Sequence, residues 1–218
     1  LGARRCEDAA NSLAGLITSE DADMAQAAMA ALGKIANATA VDALAGAKGK
    51  VPAPLHAVWA DSYLLCADKL VAEGKGEKAL KIYEGLANDE LERVKVAAFM
   101  GRTSALGDKA IPLVVEALTG SSAQLQGAAA VRVRSIKASG ATQAFAETLD
   151  KLQATGQILL LSALGDRGDK AAFPSVAALL KSGDADVRIA ALNASGKIGD
   201  ASCIMDVAKV AATTSEDE

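Results

Sequence analysis

Apolar positions recur along this chain with the period of a helix. An amphipathic helix that packs one face needs apolar residues at i, i+3, i+4 and i+7. Ala79, Ile82, Tyr83 and Leu86 meet that template in full, as do Ile111, Val114, Val115 and Leu118, then Phe173, Val176, Ala177 and Leu180. Ile204, Val207, Ala208 and Ala211 follow it as well. Phe145, Thr148, Leu149 and Leu152 match with one threonine, and Val41, Leu44 and Ala45 match until Lys48 breaks the last position. Another stretch of helical character precedes each segment, so the pattern predicts helices in pairs.

The preceding stretches also resemble one another residue by residue. Residues 184–200 read DADVRIAALNASGKIGD and residues 21–37 read DADMAQAAMAALGKIAN. Their starts lie five steps of about 33 residues apart, inside the range of helical-repeat units. ERVKVAAFMGRTSALGD (92–108) and AQLQGAAAVRVRSIKASG (123–140) carry the same spacing of small apolar residues. GQILLLSALGDRGD (156–169) is more degenerate, and residues 53–73 fill the remaining slot with a longer helix.

Turn chemistry agrees with the pairing. Glycine readily takes the left-handed conformation that ends a helix. Asp108, Asp169 and Asp200, each beside a glycine, are then expected to cap the second helix of their pairs. Pro112 and Pro174 fall in opening turns, where the earliest N–H groups have no helical partner. The chain is therefore expected to be a single all-α domain over 1–218, a right-handed α-α superhelix or solenoid of about six helix–turn–helix repeats. Those repeats are 20–49, 52–89, 90–120, 121–154, 155–182 and 183–212. An orphan helix within 1–18 precedes them and a frayed tail, 213–218, follows. No pair can bury its apolar face alone, so neighbours stack into a continuous core.

The stretches 184–211 and 21–47, with weaker copies at 92–119, 123–152 and 156–181, resemble the HEAT repeat in its short bacterial form. Residues 53–88 depart from it, because their first helix is long and GKGEKALKIYEGLAND is closer to a tetratricopeptide-type second helix. The resemblance implies a HEAT-like solenoid scaffold. It specifies architecture and says little about activity.

Composition narrows the function classes. The chain is 51% hydrophobic but 3% aromatic, so Ala, Leu, Val and Ile carry that figure. Alanine is the best helix former and permits close helix approach. The formal net charge is −4, and only residues 90–151 hold more Lys and Arg than Asp and Glu. VRVRSIK (131–137) is the densest basic stretch, yet on a helix its cations fall on two separate edges. Nucleic-acid binding in a HEAT-like groove needs many phosphate-neutralising side chains, which leaves it a remote alternative.

Catalytic and metal chemistry find little support in the residues. The one histidine, His56, is followed by alanine, so the His-Glu pairs of di-iron hydroxylases built on such repeats cannot be assembled. His56 and Trp59 sit one turn apart and read as a packed, partly exposed helix face. GKGEK (74–78) lacks the spacing of a phosphate loop and reads as a turn. Cys6, Cys66 and Cys203 are too far apart for a metal motif and odd in number, so they read as unpaired thiols. No catalytic residue, metal site or cofactor is predicted. No apolar run reaches the ~18 residues of a membrane span. Because the chain begins with Leu and lacks a signal pattern, it reads as a piece of a longer protein, with its compartment open.

A partner surface can still be placed. In stacked pairs the second helices line the concave face, where extended partners bind. Surface-directed positions of the middle repeats form a ridge of Lys81, Glu84, Leu113, Glu116, Glu147 and Asp150, predominantly acidic and polar. The sequence thus points to a non-enzymatic scaffold that binds a protein or peptide, one with basic character at this ridge. The alternative is a module that regulates or positions a catalytic domain elsewhere in the parent chain.

Overall fold

The two copies of the Asp-Ala-Asp stretch open helices in the same way. The computed structural model describes residues 9–199. In it, Asp21 starts the helix Ala22–Ile35 by accepting from the N–H groups of Asp23 at 3.0 Å and Met24 at 3.1 Å. Asp184 starts the helix Ala185–Ile198 by accepting from Asp186 at 2.9 Å and Val187 at 3.1 Å. The first N–H groups of a helix lack internal partners, and a cap of this kind stabilises by about 1 kcal/mol. The repeated text is helix-start text.

Among the described residues all regular structure is helical, and the fold is an all-α array of paired helices. It divides into two compact units, Leu1–Leu106 and Gly107–Glu218. The division falls between the two helices of the 90–120 segment.

The first unit holds α1 (Ala10–Ala14), α2 (Ala22–Ile35), α3 (Ala38–Gly46), α4 (His56–Ala72), α5 (Gly76–Leu86) and α6 (Glu92–Leu106). The first helices of the pairs, α2, α4 and α6, pack in succession, with α3 and α5 set against them as the second helices. α4 runs 17 residues against 9 for α3, the long first helix that the sequence leads one to expect. Met29, Leu32, Ile35, Trp59, Cys66 and Leu86 are buried at the centre. The buried Trp59 ring donates its Nε1–H to the Leu44 carbonyl at 2.7 Å, so its polar atom is satisfied inside the core. Close approach of α2 and α4 depends on Gly33, where a Cβ would stand 2.8 Å from the Ser62 carbonyl oxygen.

The second unit holds α7 (Ile111–Thr119), α8 (Ala123–Ser135), α9 (Ala141–Ala146), α10 (Ala154–Arg167), α11 (Phe173–Ala178) and α12 (Ala185–Ile198). α8, α10 and α12 pack in succession, and α7 and α9 pack together. Phe145, Thr148, Leu149 and Leu152 are all buried, but not on one helix as their spacing predicts: α9 ends at Ala146, a 3₁₀ turn (Leu149–Lys151) follows, and Leu152 is extended. The expected last second helix, with Ile204, Val207, Ala208 and Ala211, lies outside the described residues, and so does Asp200.

The turns follow the expected chemistry in part. Gly107 (φ 54°) and Gly168 (φ 68°) are left-handed. Asp169 accepts from the Ala171 N–H at 3.1 Å and opens the short 3₁₀ turn before α11. Asp108 does not act as a cap. It lies inside a 3₁₀ turn (Gly107–Ala110), and α7 opens after Ala110 with no side-chain cap. Pro112 sits in that opening turn, as Pro174 does in α11, so one fewer N–H needs a partner there. Gly199 is extended (φ −72°, ψ 158°) and not left-handed.

Two polar clusters join the helices of the second unit. Arg167, at the end of α10, donates to Thr142 Oγ1 at 2.5 Å, to the Val133 carbonyl at 2.7 Å and to the Ile136 carbonyl. Thr142 in turn donates to Asp169 at 2.5 Å, and the Arg167 guanidinium lies 6.0 Å from the Phe145 ring centre. Among the first helices of the pairs, Asp166 accepts from Arg134 Nε at 2.8 Å and Lys197 Nζ at 2.7 Å, linking α8, α10 and α12.

Candidate binding groove

Between α3 and α5 of the first unit lies a groove of about 490 Å³. Its α3 wall presents Val41, Asp42 and Ala45, and its α5 wall presents Lys78, Lys81 and Ile82. Ile35 at the end of α2, with Tyr63 and Leu70 of α4, supplies an apolar floor. Val41 and Ala45 are two of the apolar positions on the helix template of α3, yet Val41 is half-buried and Ala45 is exposed. The template expects such positions to be packed away. Here Val41 is packed against the core yet also borders the groove, Ala45 is exposed to it, and only Leu44 of that set is fully buried. Lys48, which breaks the template, turns across and donates to the Gly85 carbonyl at 2.8 Å, tying the end of α3 to α5.

The walls differ in charge. Lys75, Lys78 and Lys81 recur every three residues along the start of α5, which keeps them along one edge of the helix. Lys75 pairs with Glu73 at 2.8 Å. Lys78 and Lys81 form no ion pair among the described residues and border the groove directly. Asp42 faces them from α3. Tyr63 adds a phenol whose pKa is raised above its ordinary value, first by burial and also by the nearby Asp42 carboxylate, so it acts as a neutral hydroxyl.

The sequence-derived ridge is distributed over both units. Lys81 and Glu84 are exposed on α5 of the first unit, and Lys81 lines the groove. In the second unit Glu116 on α7 is exposed, with Glu147 at the end of α9 and Asp150 in the 3₁₀ turn that follows. Leu113 is half-buried on α7, less surface-directed than its position in the repeat suggests. Glu147 accepts from Gln143 Nε2 at 2.9 Å. The ridge does not include Lys75 or Lys78, which line the groove beside Lys81. GKGEK, expected as a turn, is one only at its start: α5 opens at Gly76, and the three-residue spacing in GKGEKALK sets Lys78 and Lys81 along one helix edge.

Other residues singled out in the sequence fall elsewhere. His56 Nε2 meets both carboxylate oxygens of Asp89, at 2.9 and 3.0 Å, and its ring lies 5.3 Å from Trp59. Asp89 also accepts from the Leu91 N–H at 3.0 Å, so the pair fixes the entry to α6. Burial pushes the Cys66 thiol up to about 12, which keeps it protonated and unreactive. Cys6 and Cys203 lie outside the described residues. In VRVRSIK, Arg134 is engaged by Asp166 and Arg132 is half-buried, so the stretch serves helix packing more than a free basic edge. Among the described residues no cluster of three or more His, Cys, Asp or Glu could hold a metal, and no helix is long and apolar enough to cross a membrane.

No family model matches the chain, and no curated protein matches it. Among solved structures, one engineered protein is 18% identical over 87% of this chain and 96% of its own, with a TM-score of 0.44. A second engineered protein is 17% identical over 93% of this chain and 61% of its own, with a TM-score of 0.47. The complex of CpcE and CpcF of phycocyanin lyase from a Nostoc species is 20% identical over 96% of this chain and 84% of its own, with a TM-score of 0.37.

Proposed function

We propose that this chain is a non-enzymatic HEAT-like repeat module of bacterial type, and that its first unit holds a segment of a partner protein in the groove between α3 and α5. One observation carries the reading: Val41, half-buried against the core, and Ala45, exposed, both apolar by the helix template, line an open groove of about 490 Å³. A groove with an apolar floor and charged rims suits a peptide, whose side chains need apolar contact and whose backbone and ends need polar neighbours. Glu116, Glu147 and Asp150, exposed in the second unit, are proposed with Leu113 as a second contact surface, suited to basic segments.

Selection from a displayed library of random peptides tests the reading. Ala45→Trp fills the groove from an exposed position and leaves the buried core intact. Peptides enriched on the wild-type protein are expected to be lost on Ala45→Trp, with the circular dichroism melting curve unchanged. Enrichment indifferent to Ala45→Trp would sink the groove reading. A Glu116→Lys/Glu147→Lys double variant tests the second surface in the same selection, and an unchanged peptide profile would remove it.

A further inference from the structure

The groove has a charge pattern that narrows its occupant. Resting on the peptide-binding reading above, we infer that it takes an acidic, extended segment of a partner protein, in which carboxylates alternate with apolar side chains. On the α5 wall Lys78 and Lys81 stand three residues apart with no ion pair among the described residues. On a helix that spacing separates two side chains by about 5–6 Å. In an extended chain, residues i and i+2 point to the same side and lie about 6.6 Å apart. Two carboxylates on alternate residues of a strand laid along the groove therefore match the two lysines.

The same alternation sends the intervening side chains to the opposite wall. That wall offers Val41 and Ala45, above the Tyr63 and Ile35 floor. Asp42 on this wall repels a carboxylate, so a strand shifted by one residue would set its acids against Asp42 and its apolar groups against lysine ammonium groups. Lys75 adds less, because Glu73, which also lines the groove, pairs with it. The wall charges thus favour one register as well as one sign.

Fluorescence polarisation with defined peptides tests this. The probe is labelled Gly-Glu-Leu-Glu-Phe-Glu-Gly, beside peptides with Gln or Lys in place of every Glu. The protein is wild type, Lys78→Glu/Lys81→Glu or Ala45→Trp, each checked by circular dichroism. The acidic peptide is expected to bind wild type at least about tenfold more tightly than either comparison peptide, with an affinity that falls as salt rises. Lys78→Glu/Lys81→Glu is expected to reverse the preference towards the Lys peptide. If all three peptides bind alike and Ala45→Trp abolishes them, the groove binds peptides and the acidic inference is overturned. If no peptide binds, or binding ignores Ala45→Trp, the peptide-binding reading itself fails and the inference falls with it. Equal or tighter binding of a single-stranded oligothymidylate would also overturn the proposal, in favour of a general anion site.

Discussion

Tyr83 of α5 occupies the space into which a side chain at Gly101 of α6 would project: a Cβ there would stand 2.3 Å from the tyrosine Cε1 and Cζ. The ring has little room to yield. It is buried, and its hydroxyl donates to Asp68 at 2.6 Å. Alanine is favoured over glycine inside a helix by about 1 kcal/mol, but overlap in a packed core costs about 1–3 kcal/mol. Gly101→Ala is therefore expected to lower the urea unfolding midpoint. Adding Tyr83→Leu is expected to recover part of that loss. Strictly additive costs in the double variant would show that the two residues do not compete for space.

Ala36 ends α2 in the left-handed conformation, with φ 53°, the one non-glycine among the described residues at positive φ. An L-residue there costs roughly 1–2 kcal/mol, and glycine removes that strain while gaining about 0.4–1 kcal/mol of unfolded-state freedom. Ala36→Gly is expected to stabilise the chain by up to about 1 kcal/mol, seen as a higher thermal midpoint. A lower midpoint would mean that the alanine methyl contributes more than its backbone conformation costs.

Arg167 and Asp166 are neighbours in sequence with different expected weights. Arg167 supplies donors to two carbonyls and a hydroxyl in a half-buried site. Arg167→Met leaves those acceptors unsatisfied and is expected to cost about 2–3 kcal/mol. Lysine is expected not to restore it, because an ammonium cannot reproduce the planar fork. Asp166 sits at the surface with both its partners, so Asp166→Asn is expected to cost less than about 1 kcal/mol. Chemical denaturation of the three variants separates these outcomes. Similar losses for Arg167→Met and Asp166→Asn would contradict the distinction.

Two carboxylates make the second unit sensitive to acid. Asp166 is held below its ordinary value by hydrogen bonds from Lys197 and then Arg134, and Asp169 by its bonds from Thr142 and Ala171. A depressed folded-state pKa stabilises above the ordinary carboxylate range, and the stabilisation is lost as pH falls through the folded value. Stability is expected to drop below about pH 4, and less steeply in an Asp166→Asn/Asp169→Asn variant. Identical acid profiles for the variant and the wild type would refute this.

Cys66 has the opposite sign. Its folded thiol is raised from an ordinary 9.0 to about 12 by burial. The folded state then binds the proton more tightly, so the stabilisation is complete below the ordinary thiol pKa and is lost as pH rises through the folded value. Iodoacetamide at pH 8 is expected to spare Cys66 in the native chain and label it fully in urea, read by peptide mass spectrometry. Native labelling at the rate of a free thiol would show that the site is open.

Much of the fold was legible because its rules are local. Ala79, Ile82, Tyr83 and Leu86 obey the helix period, and all four are buried. Asp21 and Asp184 cap helices through bonds to residues two and three ahead, a reach that any reader of the sequence can span. Asp108 shows the limit of the same rule, since a glycine followed by an aspartate permits a cap without compelling one.

The groove depended on information the sequence does not carry locally. Val41 and Ala45 obey the same period as Tyr83, but whether an apolar face is covered depends on the helix opposite it. α3 and α5 leave a gap that α4 floors without filling. Likewise His56 meets Asp89 from 33 residues away, and Arg167 meets Thr142 from 25. The sequence alone determined that this chain makes paired helices and, at Asp21 and Asp184, where two of them begin, because helix formation and capping are settled within about one turn. Only the tertiary structure decided which apolar positions stay open and which lysines stay unpaired, because burial and ion pairing belong to two segments at once.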